Sequence, residues 1–278
     1  MRVTIFGASG ILGKVLMREW SGEEVTGLSS RDADLRDEDQ VRGAVERTHP
    51  DWIVLAAAYT DVDGCESNQQ LAFSVNRDGA VHVAEAAKQI GARLLFLSSD
   101  YVFNGKKTSP YEIDDARNPQ GVYARSKAEA EVRLLQVLPQ CCIVRTSWLF
   151  GTGGKCFPDT ILKLAATRPA LDVVDDQRGC PTYAVDLARA IVQLCRKAAS
   201  GIVHATNAGD CSWFEFACAI VKRAGLATEV RPVSSQQMAR PAPRPTYSVL
   251  SPASLHCYGI VLPAWQDALR RYLEERNT

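Results

Sequence analysis

The stretch that decides the fold stands at the start of the chain: Val3-Thr-Ile-Phe6, followed by Gly7-Ala-Ser-Gly10-Ile-Leu-Gly13. This stretch consists of an apolar run and a glycine turn, and it leads into an amphipathic run. That is the order strand, turn, helix. Gly7 can make the tight turn, Gly10 lets the backbone approach a pyrophosphate, and Gly13 lets the helix pack closely on the sheet. The free N–H groups at the helix start favour a phosphate. This order predicts a dinucleotide-binding site; the alternative is a glycine turn without a ligand.

The same rhythm of strand and helix continues through the first half of the chain. Apolar runs indicate buried strands, and longer amphipathic segments indicate helices. The predicted strands are 3–6, 25–28, 52–56, 94–97 and 142–144, and the predicted helices lie near 11–20, 38–48, 68–90 and 120–138. Because parallel strands joined by helices are covered on both faces, we expect an α/β fold with a doubly wound parallel sheet of the Rossmann type.

The second half has a looser rhythm. Its expected elements are helices over 159–168 and 184–198, a strand over 202–206, and a proline-rich ordered loop or edge over 232–252. We therefore predict a dinucleotide-binding domain of residues 1–150 plus about 182–206. About 151–181 and 207–278 are expected to form a smaller substrate-binding region.

Composition and charge exclude several classes of protein. Of the 278 residues, 46% are hydrophobic and 23% charged, as in ordinary globular proteins. The 32 basic and 32 acidic residues give zero net charge, so we expect no general nucleic-acid binder. The longest apolar run, 52–58, is too short to cross a membrane, and the N-terminus enters a strand at once, so we expect neither a membrane span nor a signal peptide. Nine irregularly spaced cysteines without a CxxC pair favour reduced thiols in the cytoplasm.

The end of the second strand bears on the choice of cofactor. An acidic residue there would bind the adenosine ribose and repel a 2′-phosphate. Here the strand ends in Leu28-Ser29-Ser30-Arg31, with no acid before Asp32. Ser29, Ser30 and Arg31 can accept the 2′-phosphate, so we predict NADP(H), with use of NAD(H) left open. The alternative is that Arg31 is only a solvated loop charge.

A tyrosine and a lysine four residues apart, in Tyr123-Ala-Arg-Ser-Lys127, share one face of a predicted helix. A nearby ammonium group favours the phenolate and lowers the pKa of the tyrosine. Leu97-Ser-Ser99 ends the fourth strand, at the edge where such sheets bind ligands. Ser99, Tyr123 and Lys127 together can hold and protonate a carbonyl oxygen, which predicts carbonyl reduction. Taken alone, the Tyr–Lys spacing more often marks a surface helix.

Further motifs extend this pattern over about residues 1–255. They are Ala56-Ala-Ala-Tyr-Thr-Asp-Val-Asp63, Glu66, Asn76, Ser98-Ser-Asp-Tyr-Val-Phe-Asn-Gly105, Arg145-Thr-Ser-Trp-Leu-Phe-Gly151, Asp176-Gln-Arg-Gly-Cys-Pro-Thr182 and Arg244-Pro-x-x-Ser248-x-Leu250. With the glycine turn and the Ser–Tyr–Lys set, they resemble the dTDP-4-dehydrorhamnose reductase family of the extended short-chain dehydrogenases/reductases. The resemblance implies NADPH-dependent reduction of the C4 ketone of a dTDP-linked 4-keto-6-deoxyhexose, dTDP-4-dehydro-L-rhamnose, to dTDP-L-rhamnose.

The residues and the resemblance together give the expected site. The expected cofactor-binding residues are Gly7, Gly10, Ile11, Leu12, Gly13, Arg31, Asp34, Leu35, Ala57, Ala58, Tyr59, Leu97, Tyr123 and Lys127. The expected substrate-binding residues are Ser99, Asp100, Tyr101, Trp148 and Arg244. The resemblance implies that Tyr123 donates the proton and that Lys127 lowers its pKa and holds the nicotinamide ribose. Trp148 would wall the sugar, although a tryptophan at a strand end is more often core, and Arg244 would pair with the diphosphate or be a loop arginine.

Some positions depart from the family pattern. Lys14 and Val15 stand where some members carry acidic residues that bridge a dimer through a metal, so we predict no metal. Ser99 replaces a common threonine but keeps the hydroxyl, and Tyr59 stands where histidine is frequent. We expect a monomer or a homodimer.

Three alternative functions stay open. The first is a reductase of another nucleotide-linked 4-keto-deoxysugar, because specificity resides in the site and not in the fold. The second is a regulatory subunit resembling that of methionine adenosyltransferase, which resembles the same family. The third is an epimerase or dehydratase that holds NAD tightly.

Overall fold

Residues 1–20 and 22–276 are described by the computed structural model. The strands are β1 (Arg2–Phe6), β2 (Glu24–Leu28), β3 (Trp52–Leu55), β4 (Arg93–Ser99), β5 (Cys142–Thr146), β6 (Leu149–Phe150), β7 (Ala170–Val174), β8 (Arg178–Gly179), β9 (Thr182–Tyr183), β10 (Gly201–His204), β11 (Cys211–Ser212) and β12 (Glu229–Val233). The helices are α1 (Ile11–Glu19), α2 (Glu38–Thr48), α3 (Val62–Ser67), α4 (Gln69–Phe73), α5 (Gly79–Ile90), α6 (Val122–Val137), α7 (Phe157–Ala165), α8 (Ala184–Arg196), α9 (Trp213–Arg223), α10 (Ala253–His256) and α11 (Trp265–Arg276). A π-helical turn spans Ser74–Asp78 and a 3₁₀ turn Asp100–Val102.

A six-stranded parallel sheet, in the order β10-β5-β4-β3-β1-β2, forms the centre of the fold. The predicted α/β fold with a doubly wound parallel sheet is therefore confirmed. Strand β2 lies on one side of β1 and β3 on the other, so the chain changes direction across the sheet beside β1. Ligands of such sheets bind outside the carboxyl ends of the strands at this point.

Alternate residues of the strands pack on opposite faces of the sheet. In β4, Leu95 and Leu97 join the core under α1 and α8, whereas Leu94 and Phe96 join the core under α2, α5 and α6. Side chains alternate along a strand, and here both faces are covered. This explains why the strands appear in the sequence as continuous apolar runs.

A third core joins elements from the second half of the chain. Helices α7, α9 and α11 pack together with β7, and the rings of Phe150, Phe216 and Tyr272 meet there. Three two-stranded pairings, β7–β12, β8–β11 and β6–β9, accompany these helices. The sequence pattern missed these short strands because two to five residues carry little periodicity.

The predicted single helix over 68–90 is interrupted. It consists of α4, the π-helical turn and α5. The extra residue of a π turn shifts the following side chains around the helix, and such turns are frequent at functional sites. Here the turn places Asn76 in a buried position.

No helix among the described residues is both long and apolar enough to cross a membrane. All nine cysteines are free thiols, and most of them are buried.

Candidate active site

The glycine turn between β1 and α1 leaves almost no room for side chains. Gly7 has φ +90°, and a Cβ added to it would lie 2.6 Å from the Ala57 nitrogen at the end of β3. A Cβ on Gly13 would lie 2.1 Å from the Gly7 oxygen, so this glycine lets α1 approach the turn. At Gly10 an added Cβ meets only that same oxygen, at 3.4 Å, and no side chain caps the helix. The backbone is thus open to a phosphate at the N-terminus of α1.

The side chains of two further predicted residues point away from this turn. Leu12 and Leu97 are both buried in the core beneath α1 and α8. They can offer a ligand only their backbone. Ile11 is half-buried and lies against Gly151 and Gly154, where added Cβ atoms would meet its side chain at 3.0 Å and 2.6 Å.

A cleft of about 300 Å³ lies beside the glycine turn, at the ends of β1, β2 and β3. Its lining is mostly apolar, as befits an adenosine-sized ligand. The lining residues are Phe6, Gly7, Leu28, Ser29, Ser30, Ala33, Asp34, Leu35, Arg36, Ala57, Ala58, Leu71 and Val75. The predicted Gly7, Asp34, Leu35, Ala57 and Ala58 are therefore brought together, and the cleft with its glycine cradle fits one end of a dinucleotide.

The basic side chain of this cleft is Arg36, which the sequence did not single out. Its guanidinium binds both oxygens of Asp34, with Nε–O distances of 3.0 Å, and lowers the pKa of that carboxyl. Arg31 is exposed and is not among the lining residues. Asp32 accepts hydrogen bonds from the N–H and hydroxyl of Ser29, which fixes the loop after β2.

Ser99 and Asp100 form a buried polar pair at the carboxyl end of β4. The Ser99 hydroxyl donates to Asp100 Oδ1 at 2.9 Å and accepts from the Tyr101 N–H at 3.2 Å. Asp100 Oδ2 has no hydrogen-bond partner among the described residues. Burial raises the pKa of Asp100 to about 7, although the hydroxyls of Ser248 and Ser99 oppose the shift.

Tyr123 lies in the first turn of α6. The carboxylate of Glu66 accepts the Val122 N–H at 2.7 Å and so fixes the start of this helix. The Tyr123 ring meets the Tyr101 ring edge-on, with centroids 6.2 Å apart. Burial and the Asp100 carboxylate raise the pKa of Tyr123, and the Ser99 hydroxyl opposes them. The pKa is therefore raised, and not lowered as the Tyr–Lys spacing predicted, because burial outweighs the other effects. The phenol therefore stays protonated in this surrounding.

Lys127 lies one helical turn after Tyr123 and is buried. Its Nζ stands 4.0 Å from the centre of the Phe96 ring, a cation–π contact. Burial lowers the pKa of Lys127 to about 7, while the Glu131 carboxylate opposes the shift. No hydrogen bond of this ammonium group is found within residues 1–20 and 22–276, so its donors are free for a ligand.

Asn76 connects the loop after β3 to α6. Its amide accepts the Tyr59 N–H at 2.7 Å and donates to the Tyr59 oxygen at 3.1 Å. It also donates to the Ser126 hydroxyl at 3.0 Å, and that hydroxyl donates to the backbone carbonyl oxygen of Tyr123. The predicted Tyr59 is thus tied to α6 through a residue of the π-helical turn.

The other two predicted substrate residues are already in contact with protein groups. Trp148 follows β5 beside the end of β4 and stacks on the indole of Trp213, with centroids 3.5 Å apart. Arg244 binds both oxygens of Asp63 at 2.9 Å. The Asp63 pKa is lowered mainly by this hydrogen bonding. Neither contact was predicted from the sequence.

Among the described residues, no three His, Cys, Asp or Glu side chains are grouped so as to hold a metal ion.

A family model described as the RmlD substrate binding domain matches residues 1–278. The chain belongs to this family. The spore coat polysaccharide biosynthesis protein SpsK of Bacillus subtilis (strain 168) is 41% identical over 279 residues, 100% of this chain and 98% of that protein. The dTDP-4-dehydrorhamnose reductase of Mycobacterium tuberculosis (strain ATCC 25618 / H37Rv) is 42% identical over 280 residues, 96% of this chain and 91% of that protein.

A solved structure of the same family matches over nearly the whole fold. The dTDP-4-dehydrorhamnose reductase from Bacillus anthracis str. Ames, in complex with NADP, has a TM-score of 0.96 and 36% identity, and 99% of each chain is covered. The resemblance read from the motifs is confirmed at the level of the family.

In this RmlD-family chain, Ser99 ends β4, Tyr123 and Lys127 lie on successive turns of α6, and Lys127 contacts Phe96 of β4. The motifs contained Glu66 and Asn76 without giving either a role. The sequence offered no local signal for Arg36 or Trp213, because their importance follows from contacts that only the fold creates.

Proposed function

We propose that the protein reduces the C4 ketone of dTDP-4-dehydro-L-rhamnose to dTDP-L-rhamnose with NADPH. The observation that carries the proposal is the set of buried Ser99, half-buried Tyr123 and buried Lys127 at the carboxyl end of β4 and the start of α6, together with the cleft and the open glycine turn. The name of the Mycobacterium tuberculosis relative supports the sugar nucleotide. The NADP complex of the Bacillus anthracis enzyme supports the cofactor.

The proton comes from Tyr123. When bound, NADPH supplies the hydride that adds to C4. As the carbonyl π electrons move onto oxygen, that oxygen takes the phenolic proton of Tyr123, and a C4 hydroxyl results. Burial keeps the phenol protonated until that step, because it raises the pKa of Tyr123.

Lys127 and Ser99 prepare the transfer. The Lys127 ammonium, buried and without a protein hydrogen bond among the described residues, binds the nicotinamide ribose and stabilises the phenolate left on Tyr123. The Ser99 hydroxyl turns from Asp100 to the substrate oxygen and holds it near the phenol. Asp100, Tyr101 and Trp148 contact the sugar, and Arg244 the diphosphate.

The cleft would hold the adenosine of NADPH, and the N–H groups at Gly10, Ile11 and Leu12 would hold its pyrophosphate. Ser29 and Ser30 would hold its 2′-phosphate, with Arg31 and Arg36 as cations. NADH would lose these contacts and is expected to be the weaker donor.

Nine free cysteines agree with our placement of the protein in the cytoplasm.

The test is consumption of reduced nicotinamide by the purified protein. The substrate is dTDP-4-dehydro-L-rhamnose made in situ by upstream enzymes, and NADPH and NADH are supplied in parallel. We expect consumption, faster with NADPH, and dTDP-L-rhamnose as the isolated product. Absence of consumption, with NADPH binding shown by fluorescence titration, would contradict the proposal and favour another sugar nucleotide or a regulatory role.

The role of the two arginines is tested by Arg31→Ala and Arg36→Ala. Loss of a contact to the 2′-phosphate lowers kcat/KM for NADPH and leaves that for NADH nearly unchanged. An equal change with both cofactors would show that the arginine supports the cleft and does not select the cofactor.

A further inference from the structure

Trp148 has a backbone conformation that tryptophan rarely adopts. Its φ is +46°, in the left-handed region, where a side chain crowds the backbone. Such a residue persists only when its surroundings hold it there, and such residues cluster at functional sites. Thr182 holds the backbone by donating its N–H to the Trp148 oxygen at 3.2 Å.

Trp213 covers the indole of Trp148. The two rings are nearly parallel, with an interplanar angle of 8° and centroids 3.5 Å apart. Trp213 is itself fixed, because it is the first residue of α9, whose capping box joins Ser212 and Glu215. The Phe157 ring also contacts Trp213, with centroids 4.5 Å apart.

Gly179 lies directly against the same indole. A Cβ added to Gly179 would stand 2.6 Å from Cε2 and 2.7 Å from Nε1 of Trp148, so no side chain fits at this position without moving the ring. The β8–β11 pairing of Gly179 with Cys211 joins this backbone to the strand that precedes Trp213.

We propose that Gly179 and Trp213 are positioning residues that hold Trp148 in one orientation before the substrate binds. Both lie far from Trp148 in the sequence, and each restricts its indole. This inference rests on the proposed function, in which Trp148 walls the sugar. An indole that is already held in its bound orientation loses no side-chain freedom when the substrate binds, so this arrangement strengthens the binding of the sugar nucleotide.

The test uses Gly179→Ala, which keeps both tryptophans and pushes on the indole. Closely stacked indoles give an exciton couplet in the circular dichroism of the substrate-free protein, and we expect this couplet to weaken in the variant. All five tryptophans are described, and Trp148 with Trp213 is the one stacked pair among them. We expect KM for the sugar nucleotide to rise about tenfold, the scale of one lost aromatic contact, with a smaller change in kcat.

A second pair of variants is independent of any folding defect at Gly179. Trp213→Leu removes the stacking partner and should raise KM about tenfold, whereas Trp213→Phe keeps a ring and should stay within about threefold of the wild type. Gly43→Ala is the matched control, because it lies in α2, where an added Cβ meets only Arg47 Nη1 at 3.5 Å. It should change neither the couplet nor KM.

An unchanged couplet with an unchanged KM in Gly179→Ala would overturn the proposal. So would a Trp213→Leu variant that melts at a lower temperature but keeps its KM, since that result marks a purely structural contact. If the wild type reduces no sugar nucleotide, the proposed function fails, and the couplet still decides whether Gly179 positions Trp148.

Discussion

Two successive turns of α6 each carry a buried charged side chain. The two differ in whether protein groups among the described residues form hydrogen bonds with the charge. Lys127 has the face of Phe96 beside it and no hydrogen bond among the described residues, and burial lowers its pKa to about 7. Glu131, four residues on, is bound by two arginines and a serine, and its pKa is lowered in spite of burial. Burying a charged group without a hydrogen-bonding partner costs stability, and such groups are frequent at functional sites.

The turn of α6 that carries Glu131 is held by a network of buried hydrogen bonds and ion pairs. Arg145 binds Glu131 through Nε at 2.9 Å and through Nη2 at 2.7 Å, and Arg117 and the Ser98 hydroxyl bind it at 2.5 Å. Ser98 and Arg145 face each other in the β4–β5 register. This network fixes α6 to the sheet, and none of its hydrogen bonds involves Lys127.

The largest effect is expected from Tyr123→Phe. This variant loses the proposed proton donor but keeps the ring, so kcat should fall about 10²- to 10⁴-fold. The free energy of unfolding and the affinity for NADPH should stay close to those of the wild type, as measured by urea denaturation and fluorescence titration. Turnover at the wild-type rate would remove Tyr123 from the mechanism.

Glu131→Gln should damage the fold instead. It leaves Arg145 buried without its counter-charge, and the free energy of unfolding should drop by about 3–5 kcal/mol. Glu129→Gln is the matched control on the same helix, because the Glu129–Arg77 pair is exposed and should contribute at most about 1 kcal/mol. Equal losses in the two variants, measured by urea denaturation, would show that burial does not distinguish the two carboxylates.

Lys127→Met should change how the free energy of unfolding depends on pH. In the wild type, the Lys127 pKa is about 7 folded and 10.5 as a free side chain, so between these values the unfolded chain binds more protons. Stability then rises with pH by at most about 1.4 kcal/mol per unit from this group. The variant should have a larger free energy of unfolding than the wild type at pH 6, and this difference should shrink from pH 7 to 9. The variant should be inactive at every pH.

Urea denaturation at pH 6, 7, 8 and 9 checks this expectation. The raised pKa values of the buried thiols affect both proteins alike and cancel in the difference. Parallel curves for wild type and variant would mean that Lys127 has the same pKa folded and unfolded.

The geometry of the glycine turn could be predicted from the sequence more completely than the contacts of Trp148 and Arg244, for a physical reason. Gly7, Gly10 and Gly13 act within one turn of chain, so their spacing alone predicts the geometry. Trp148 depends on Trp213, and Arg244 on Asp63, contacts that close only when distant segments pack. The residue types can be read from the sequence, but which residues will pair with each other cannot. The predicted division into two domains stays a prediction.

The smallest effect concerns Glu66, which accepts a hydrogen bond from the first turn of α6. Glu66→Ala removes the acceptor of the Val122 N–H and should cost about 1 kcal/mol of unfolding free energy, as the loss of a helix cap does. Because Val122 precedes Tyr123, kcat should fall more than the small unfolded fraction accounts for. Glu66→Gln keeps a carbonyl acceptor and should restore both quantities. If it restores stability but not kcat, the carboxylate charge, and not the hydrogen bond, sets the position of Tyr123.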